Sequence, residues 1–110
     1  MLNMNIEYSK GILFVRLNGK LDKVSSYKIN NYLVPVILKQ KIKCLVYNLD
    51  NLIDLDEDGT DAILNTECAI STNKGKLYLC DVGNNLNKKI KKLHLKQIND
   101  EKSAFSLMEA

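Results

Sequence analysis

The chain has 110 residues, a length that suits one domain with a single hydrophobic core. Its hydrophobic fraction of 45% and charged fraction of 26% are those of an ordinary soluble globular protein, and a net charge of +3 is too small to indicate nucleic-acid binding. No apolar stretch approaches the roughly 18 residues of a membrane-spanning helix, and the N-terminal residues lack the blocks of a signal peptide. We therefore expect a single cytoplasmic domain over residues 1–110.

Two strands are predicted at the start of the chain. The first covers residues 6–8 and is followed by a turn at Lys10-Gly11. The second covers residues 12–17 and ends at Asn18-Gly19. The first helix is then expected after Asp22.

The first helix is predicted from a cap and a periodic apolar face. Ser25 or Ser26 is placed to cap its first turn. The apolar side chains recur at helical spacing, at Ile29, Leu33, Val36 and Ile37. Pro35 interrupts this pattern and predicts a kink or an early end near Leu33.

An acidic turn lies between a strand and a helix in the middle of the chain. The nearly continuous apolar run of residues 44–49 predicts a buried parallel strand. Residues 54–59 then deliver four carboxylates and one glycine to the start of a helix, where unpaired backbone N–H groups and the helix dipole favour negative charge. The helix has an apolar side made of Ala62, Ile63, Ala69 and Ile70. We expect the function of the chain to lie at this corner.

The last third of the chain continues the alternation. Gly75 is suited to a left-handed conformation that ends the helix, and residues 76–80 predict a second buried strand. A third helix has a stripe of Leu86, Ile90 and Leu93 with its lysines turned outward. A short strand at residues 96–98 and a helix over residues 101–108 follow. The order predicts an α/β fold, a mixed and mainly parallel sheet of four to five strands with about four helices packed against it.

The three cysteines do not indicate a cofactor. Cys44, Cys68 and Cys80 are odd in number and share no metal-ligand spacing with each other or with His94. We expect three reduced thiols in the core. No base lies near a candidate serine nucleophile, and no Gly-rich loop follows a strand as in phosphate-binding sites. The chain is therefore not expected to be an enzyme or to hold a cofactor.

Four segments in chain order resemble the STAS domain of bacterial anti-sigma-factor antagonists. They are Gly-Lys-Leu-Asp at residues 19–22, Leu-Val-Tyr-Asn-Leu at 45–49, Gly-Lys-Leu-Tyr-Leu-Cys at 75–80, and Asn-Asp-Glu-Lys-Ser-Ala at 99–104. The resemblance covers nearly the whole chain. It implies a STAS-like fold and a regulatory, non-catalytic role exerted through protein binding.

The resemblance also locates a switch that this chain has altered. Typical members carry Asp-Ser-Ser-Gly or Asp-Ser-Thr-Gly, and an anti-sigma kinase phosphorylates the hydroxyl just before the glycine. Aligned on Gly59, Asp56 matches the aspartate of that motif and Asp58 takes the place of the phosphorylated residue. Asp61 stands where many members have a second glycine. The usual phosphoswitch is therefore expected to be absent.

Two interpretations of Asp58 follow. It either holds the domain in something like the phosphorylated state, or it only caps a helix, at an N-cap or N1 position, in a diverged relative. Thr60 is a weaker alternative as a phosphate acceptor, because it lies beyond the position given by the motif.

The resemblance implies a partner-binding surface formed by the loop after Gly19, the acidic turn and the exposed side of the next helix. Its expected members are Asp22, Asp56, Glu57, Asp58, Gly59, Thr60, Asp61, Leu64 and Asn65, with Leu64 as an apolar contact. The implied partner is an anti-sigma factor or a related GHKL-type kinase. Alternatively, the chain is a non-phosphorylated STAS subunit of a transport or signalling scaffold.

The acidic turn also matches the opening of a calcium-binding EF-hand loop. Asp54, Asp56 and Asp58 stand at ligand positions one, three and five of that motif. The later positions of that motif do not match, because Asp61 stands where the motif has an apolar residue and Asn65 stands where it has the bidentate glutamate. A weak divalent-ion site at the acidic turn stays open as a minor alternative.

Overall fold

The computed structural model describes the backbone of residues 1–109 and the side chains of residues 1–107. Five strands form one sheet in the spatial order β1-β2-β3-β4-β5. They are β1 (Leu2–Ser9), β2 (Ile12–Leu21), β3 (Cys44–Leu55), β4 (Lys76–Cys80) and β5 (Lys96–Ile98). β1 is antiparallel to β2, and all other neighbours are parallel. The predicted α/β class and mainly parallel sheet are confirmed.

One π-helix and four α-helices join these strands. They are the π-helix (Lys28–Leu33), α1 (Val34–Gln40), α2 (Glu57–Thr72), α3 (Asn87–Lys91) and α4 (Glu101–Glu109). The change predicted near Leu33 occurs there, but the chain stays helical and only its hydrogen-bond register changes. Pro35 lies in the first turn of α1, where its missing N–H is tolerated. Within residues 1–109, no helix is both long and apolar enough to cross a lipid bilayer.

The sheet is covered on both faces. The larger layer contains the π-helix, α1, α2 and α3, whose apolar side chains pack on those of the strands, with Val15, Leu45, Tyr47 and Leu79 among the strand residues. On the opposite face, Ala104 and Phe105 of α4 pack on a smaller cluster that includes Phe14 and Val46. Since the central strands are buried on both sides, they have continuous apolar runs.

The prediction of three core thiols is wrong for Cys68. Cys44 and Cys80 are buried in the smaller cluster, whereas Cys68 is exposed because it lies on the outer face of α2. Burial raises the pKa of the Cys44 thiol and raises that of Cys80 to about 12. Both buried thiols are therefore protonated and unreactive at neutral pH.

The end of α2 also differs from the prediction. Lys74, rather than Gly75, takes the left-handed conformation, with φ of 61°. Gly75 is needed for a different reason: a Cβ atom on it would lie 2.2 Å from the carbonyl oxygen of Lys43. The backbone just before β4 therefore lies so close to the backbone just before β3 that only glycine fits at position 75.

Replacing Gly75 with alanine should lower the free energy of unfolding by more than about 1 kcal/mol, because the added carbon must displace backbone atoms. Gly83→Ala is the matched control, because its Cβ would meet only the flexible side chain of Asn85 and should change stability by no more than about 0.5 kcal/mol. Urea denaturation of both variants measures the difference. Equal stability of the two variants would contradict the close approach.

Candidate functional site

The acidic turn lies at the carboxyl end of the parallel strands. β2 ends at Leu21 and β3 ends at Leu55, and these two residues are paired in register. The turn after β2 and the start of α2 therefore leave the sheet side by side. This places Asp22 and Asp56, which are far apart in sequence, at one corner of the domain.

Asp56 joins these two segments. It is the N-cap of α2, and its Oδ1 accepts the N–H of Gly59 at 2.8 Å. Its Oδ2 accepts the N–H of Lys23 at 3.0 Å, and its own N–H donates to the carbonyl of Leu21 at 3.3 Å. One carboxylate thus satisfies a free N–H at the start of α2 and fixes the turn after β2 against it.

The helix begins one or two residues earlier than the N-cap or N1 position expected for Asp58 implies. α2 starts at Glu57, five residues before the first apolar residue of its buried face, Ala62. Of the expected acidic turn at residues 54–59, Asp54 and Leu55 belong to β3. The rest forms the N-cap and the first turn of α2. The apolar pattern could not indicate this start, because the first turn of α2 carries mainly polar side chains.

Gly59 allows α2 to approach the end of β2. A Cβ atom on Gly59 would lie 2.3 Å from the carbonyl oxygen of Leu21 and 2.9 Å from a side-chain carbon of Leu55. The backbone of α2 therefore packs directly on the strand end. Gly59 is buried, so it cannot contact a partner directly as predicted. It contributes to the site by letting α2 pack closely on the end of β2.

The turn after β2 is closed by Asp22 and Ser25. The N–H of Ser25 donates to Asp22 Oδ1, and the N–H of Asp22 donates to Ser25 Oγ, both at 3.0 Å. The hydrogen bonds from Ser25, foremost from its backbone N–H, lower the pKa of Asp22. Neither predicted serine cap operates at the helix itself, since the π-helix follows Tyr27 without a side-chain cap. Ser25 instead exchanges a reciprocal pair of hydrogen bonds with Asp22, which closes the turn that precedes the helix.

Asp58 is the second residue of α2, and its side chain is exposed. Asp58 does not take the N-cap or N1 position expected for it, because Asp56 holds the N-cap position and accepts the capping hydrogen bond. Glu57 and Asp61 are also exposed on the first two turns of α2. Negative charge at this end of a helix is favoured by its dipole.

A groove of about 440 Å³ separates the start of α2 from α3. Glu57 and Thr60 line one side of it, and Lys89 and Lys92 line the other. Lys89 Nζ donates to the carbonyl of Leu55 at 2.6 Å, and it lies 3.5 Å from the carboxylate of Asp54. The lysines of α3 were predicted to face solvent only, but Lys89 also binds the end of β3.

The remaining predicted residues lie farther along α2. Thr60 donates its hydroxyl to the carbonyl of Glu57 at 2.8 Å. Leu64 is half-buried, so only part of its side chain is accessible. The exposed side chain of Asn65 donates to Asn30 Oδ1 at 3.0 Å and thereby connects α2 to the π-helix.

Two exposed apolar residues in the segment that follows β2 were missed in the sequence, and the first of them, Val24, lies next to the site. Val24 is 80% exposed and follows Lys23, whose N–H binds Asp56. Tyr27 is 45% exposed and contacts Tyr32, with 6.1 Å between the ring centroids. For Val24, the sequence did carry a signal, because it is the single apolar residue in the otherwise polar turn from Asp22 to Ser26.

The calcium alternative gains no support from the geometry. Within the described part of the chain, no group of three or more His, Cys, Asp or Glu side chains is arranged to hold a metal ion. Asp54 lies in β3, and both carboxylate oxygens of Asp56 accept backbone N–H groups. The three carboxylates of the EF-hand pattern therefore do not converge.

Comparison with known families identifies the domain. The model of one family, described as the STAS domain, matches residues 3–108. The chain belongs to the STAS domain family. This STAS domain is also 31% identical over 81 residues to a protein of Paenibacillus polymyxa named anti-sigma F factor antagonist, a match that covers 74% of this chain and 69% of the relative.

Solved structures show the same fold. SpoIIAA, an anti-sigma factor antagonist, superposes in its unphosphorylated form with a TM-score of 0.80, 16% identity and coverage of 98% of this chain and 99% of that one. The phosphorylated form of the Bacillus protein gives a TM-score of 0.80 at 17% identity, with coverage of 96% and 99%. An anti-sigma factor antagonist of Mycobacterium paratuberculosis gives 0.80 at 13% identity, with coverage of 100% and 96%. At these identities the likeness shows the fold of the STAS domain.

Asp56→Ala should lower the free energy of unfolding by about 1–2 kcal/mol, because it removes the N-cap of α2 and its hydrogen bond to Lys23. Asp58→Ala is the matched control two residues along the same acidic segment, and it should cost only about 0.5 kcal/mol or less. Chemical denaturation measures both values. If Asp58→Ala proved the more destabilising change, the assignment of the cap to Asp56 would be wrong.

Proposed function

We propose that this STAS domain is a regulatory binding module of the cytoplasm that associates with an anti-sigma factor, of the GHKL kinase type, and performs no catalysis. The observation that carries the proposal is the exposed carboxylate of Asp58. Because Asp56 caps α2, the fold does not require an acid at position 58. Asp58 is therefore free to meet a partner at the position where the family motif carries its phosphorylatable hydroxyl.

Asp58 makes the proposed association independent of phosphorylation. A serine or threonine at this position can gain a phosphate that carries about 1.5–2 negative charges at neutral pH. An aspartate has no hydroxyl to accept that phosphate and carries a single, permanent charge. Glu57 and Asp61 lie exposed beside it and make the surface acidic at all times. The charge of the surface is therefore constant.

The proposed contact surface combines an apolar point with an acidic rim. Val24 is the most exposed apolar side chain next to the site, and the accessible part of Leu64 adds to it. Interfaces commonly place such apolar anchors at the centre and charged groups at the edge. A partner that fits would present a small apolar pocket beside basic side chains.

The first experiment tests the switch. Tagged wild type and Asp58→Ser are used to capture partners from a lysate of the source organism, each with and without ATP. We expect wild type to retain a kinase-like anti-sigma factor equally with and without ATP, whereas the amount retained by Asp58→Ser should change when ATP allows its hydroxyl to be phosphorylated. Release of the wild-type protein in ATP would contradict the proposal.

Charge reversal at the same position tests the surface. Asp58→Lys should weaken binding of the captured partner at least about tenfold, because it opposes basic side chains and the helix dipole. Asp50→Lys makes the same charge change at another exposed residue, on β3, and should leave affinity within about twofold. Titration calorimetry measures both affinities, and equal weakening by the two changes would argue against the site.

Val24 supplies an independent test of the same surface. Val24→Asp should reduce partner affinity at least about tenfold, since it places a charge at the proposed apolar contact. Leu38→Asp is the control: Leu38 is 43% exposed on α1, outside the proposed site. Both variants should keep the melting temperature of the wild type, because neither side chain belongs to the core. Unchanged affinity in Val24→Asp would remove this residue from the site.

The missing hydroxyl also favours a second candidate, a constitutive STAS subunit of a transport or signalling scaffold. Asp58 then contributes to a permanent contact with a scaffold subunit instead of an anti-sigma factor. The identity of the captured protein separates the two candidates. An ATPase or sensor subunit, retained equally by wild type and Asp58→Ser in ATP, supports the scaffold.

A further inference from the structure

The first strand leaves a long edge of the sheet open. β1 has eight residues, lies at the end of the strand order and, among the strands that the structure describes, pairs only with β2. Edge strands in natural proteins are commonly protected by proline, lysine or a bulge. β1 has none of these in its sequence, and its register with β2 is unbroken from Leu2 to Ser9. Its only charged residue is Glu7.

The hairpin determines which backbone groups point to the open edge. A two-residue loop, Lys10-Gly11, joins Ser9 to Ile12, and its φ values of 51° and 84° are those of a type I′ turn. The residues that flank such a loop are hydrogen-bonded to each other. Odd-numbered residues of β1 therefore bond to β2, in agreement with the 3.4 Å contact between the N–H of Lys20 and the carbonyl of Met1.

The even-numbered residues consequently direct their N–H and C=O groups outward. They are Leu2, Met4, Ile6 and Tyr8. Lys28 Nζ donates to the carbonyl of Leu2 and so occupies one end of this row. The open part of the edge extends from Met4 to Tyr8, with Ile6 at its centre.

We propose that two copies of this chain pair through antiparallel β1 strands, with the two-fold axis at Ile6. In this register Ile6 lies opposite Ile6 of the second copy, and Met4 lies opposite Tyr8. Every outward N–H and C=O of these three residues then has a partner across the axis, and the two sheets become continuous. A register centred on Asn5 would require Leu2 to pair with Tyr8 and Lys28 to leave.

The side chains on the helix-covered face suit this pairing. Ile6 is 48% exposed and Tyr8 is 60% exposed, and Tyr8 shares a groove of about 310 Å³ with Val36 of α1, which is 49% exposed. A two-fold axis perpendicular to the sheet keeps the helices of both copies on one face. The second copy therefore covers the apolar residues that a single chain leaves open, and apolar cross-strand pairs stabilise the contact.

The charges on the other face are complementary. Arg16 Nη1 donates to Asn5 Oδ1 at 2.8 Å and to Glu7 Oε1 at 3.1 Å. In the proposed register Glu7 of each copy lies opposite Asn5 of the other, next to Arg16. No two like charges face each other along the strand. This self-complementarity favours a second copy over an unrelated strand as the occupant.

Sedimentation equilibrium of the purified chain tests the pairing. The wild type should change from monomer mass to twice that mass as its concentration rises to about 1 mM. Ile6→Lys should raise the dissociation constant at least about tenfold, because it places two lysines face to face on the axis. The control Ile53→Lys makes the same change at another exposed strand residue, 63% accessible on β3, and should dimerise like the wild type. Monomer mass of the wild type at every concentration, or a dimer unaffected by Ile6→Lys, would overturn the proposal.

Disulfide trapping tests the register. In a Cys68→Ser background, which removes the exposed native thiol, Ile6→Cys should give a disulfide-linked dimer under mild oxidation. Asn3→Cys lies on the same strand but would be opposite Ser9, so its thiols would stay far apart. Cross-linking of Asn3→Cys as readily as Ile6→Cys would rule out the register. Circular dichroism confirms that each variant keeps the fold of the wild type.

Discussion

The arrangement of the site depends on the carboxylate of Asp56. Its two oxygens accept N–H groups from residues that lie on different elements, Gly59 in α2 and Lys23 in the turn after β2. The absence of a side chain on Gly59 lets the same helix turn pack on the carbonyl of Leu21. Together, the hydrogen bonds and the close approach let α2 begin directly after β3, with no intervening loop. The acidic side chains that follow are therefore presented from a rigid helix.

The acidic segment divides into structural and accessible carboxylates. Asp22 and Asp56 bind backbone N–H groups and hold turns, and Asp54 lies near Lys89. Glu57 and Asp58 are exposed on the first turn of α2, followed by Asp61. Because these carboxylates have different neighbours, the described part of this segment does not bring three of them together around one point. The division also leaves Glu57 and Asp58, the two acids that stand where the motif carries uncharged residues, exposed on the first turn of α2.

Much of the fold could be predicted because the buried segments have regular patterns. The apolar runs at the starts of β3 and β4 indicated strands covered on both faces, and the spacing in α2 indicated its buried side. The errors fall where distant backbone contacts decide the outcome. Gly75 was assigned a left-handed conformation, but it is required by the carbonyl of Lys43, more than thirty residues away. Cys68 was wrongly predicted to lie in the core. Whether a cysteine on a helix is buried depends on which face of the helix packs, and α2 turns Cys68 outward.

The sequence by itself determined the fold class and the corner of the domain that carries acid, and it predicts that Asp58 replaces a hydroxyl ahead of Gly59. These follow from local patterns and from a motif, which need no knowledge of distant neighbours. Only the tertiary structure decided that Asp56 is the cap, that Lys89 binds the end of β3, and that Val24 stands exposed beside the site. It also decided that β1 is an open edge. Each of these depends on which strand ends lie side by side, and that is fixed by packing between segments far apart in the chain.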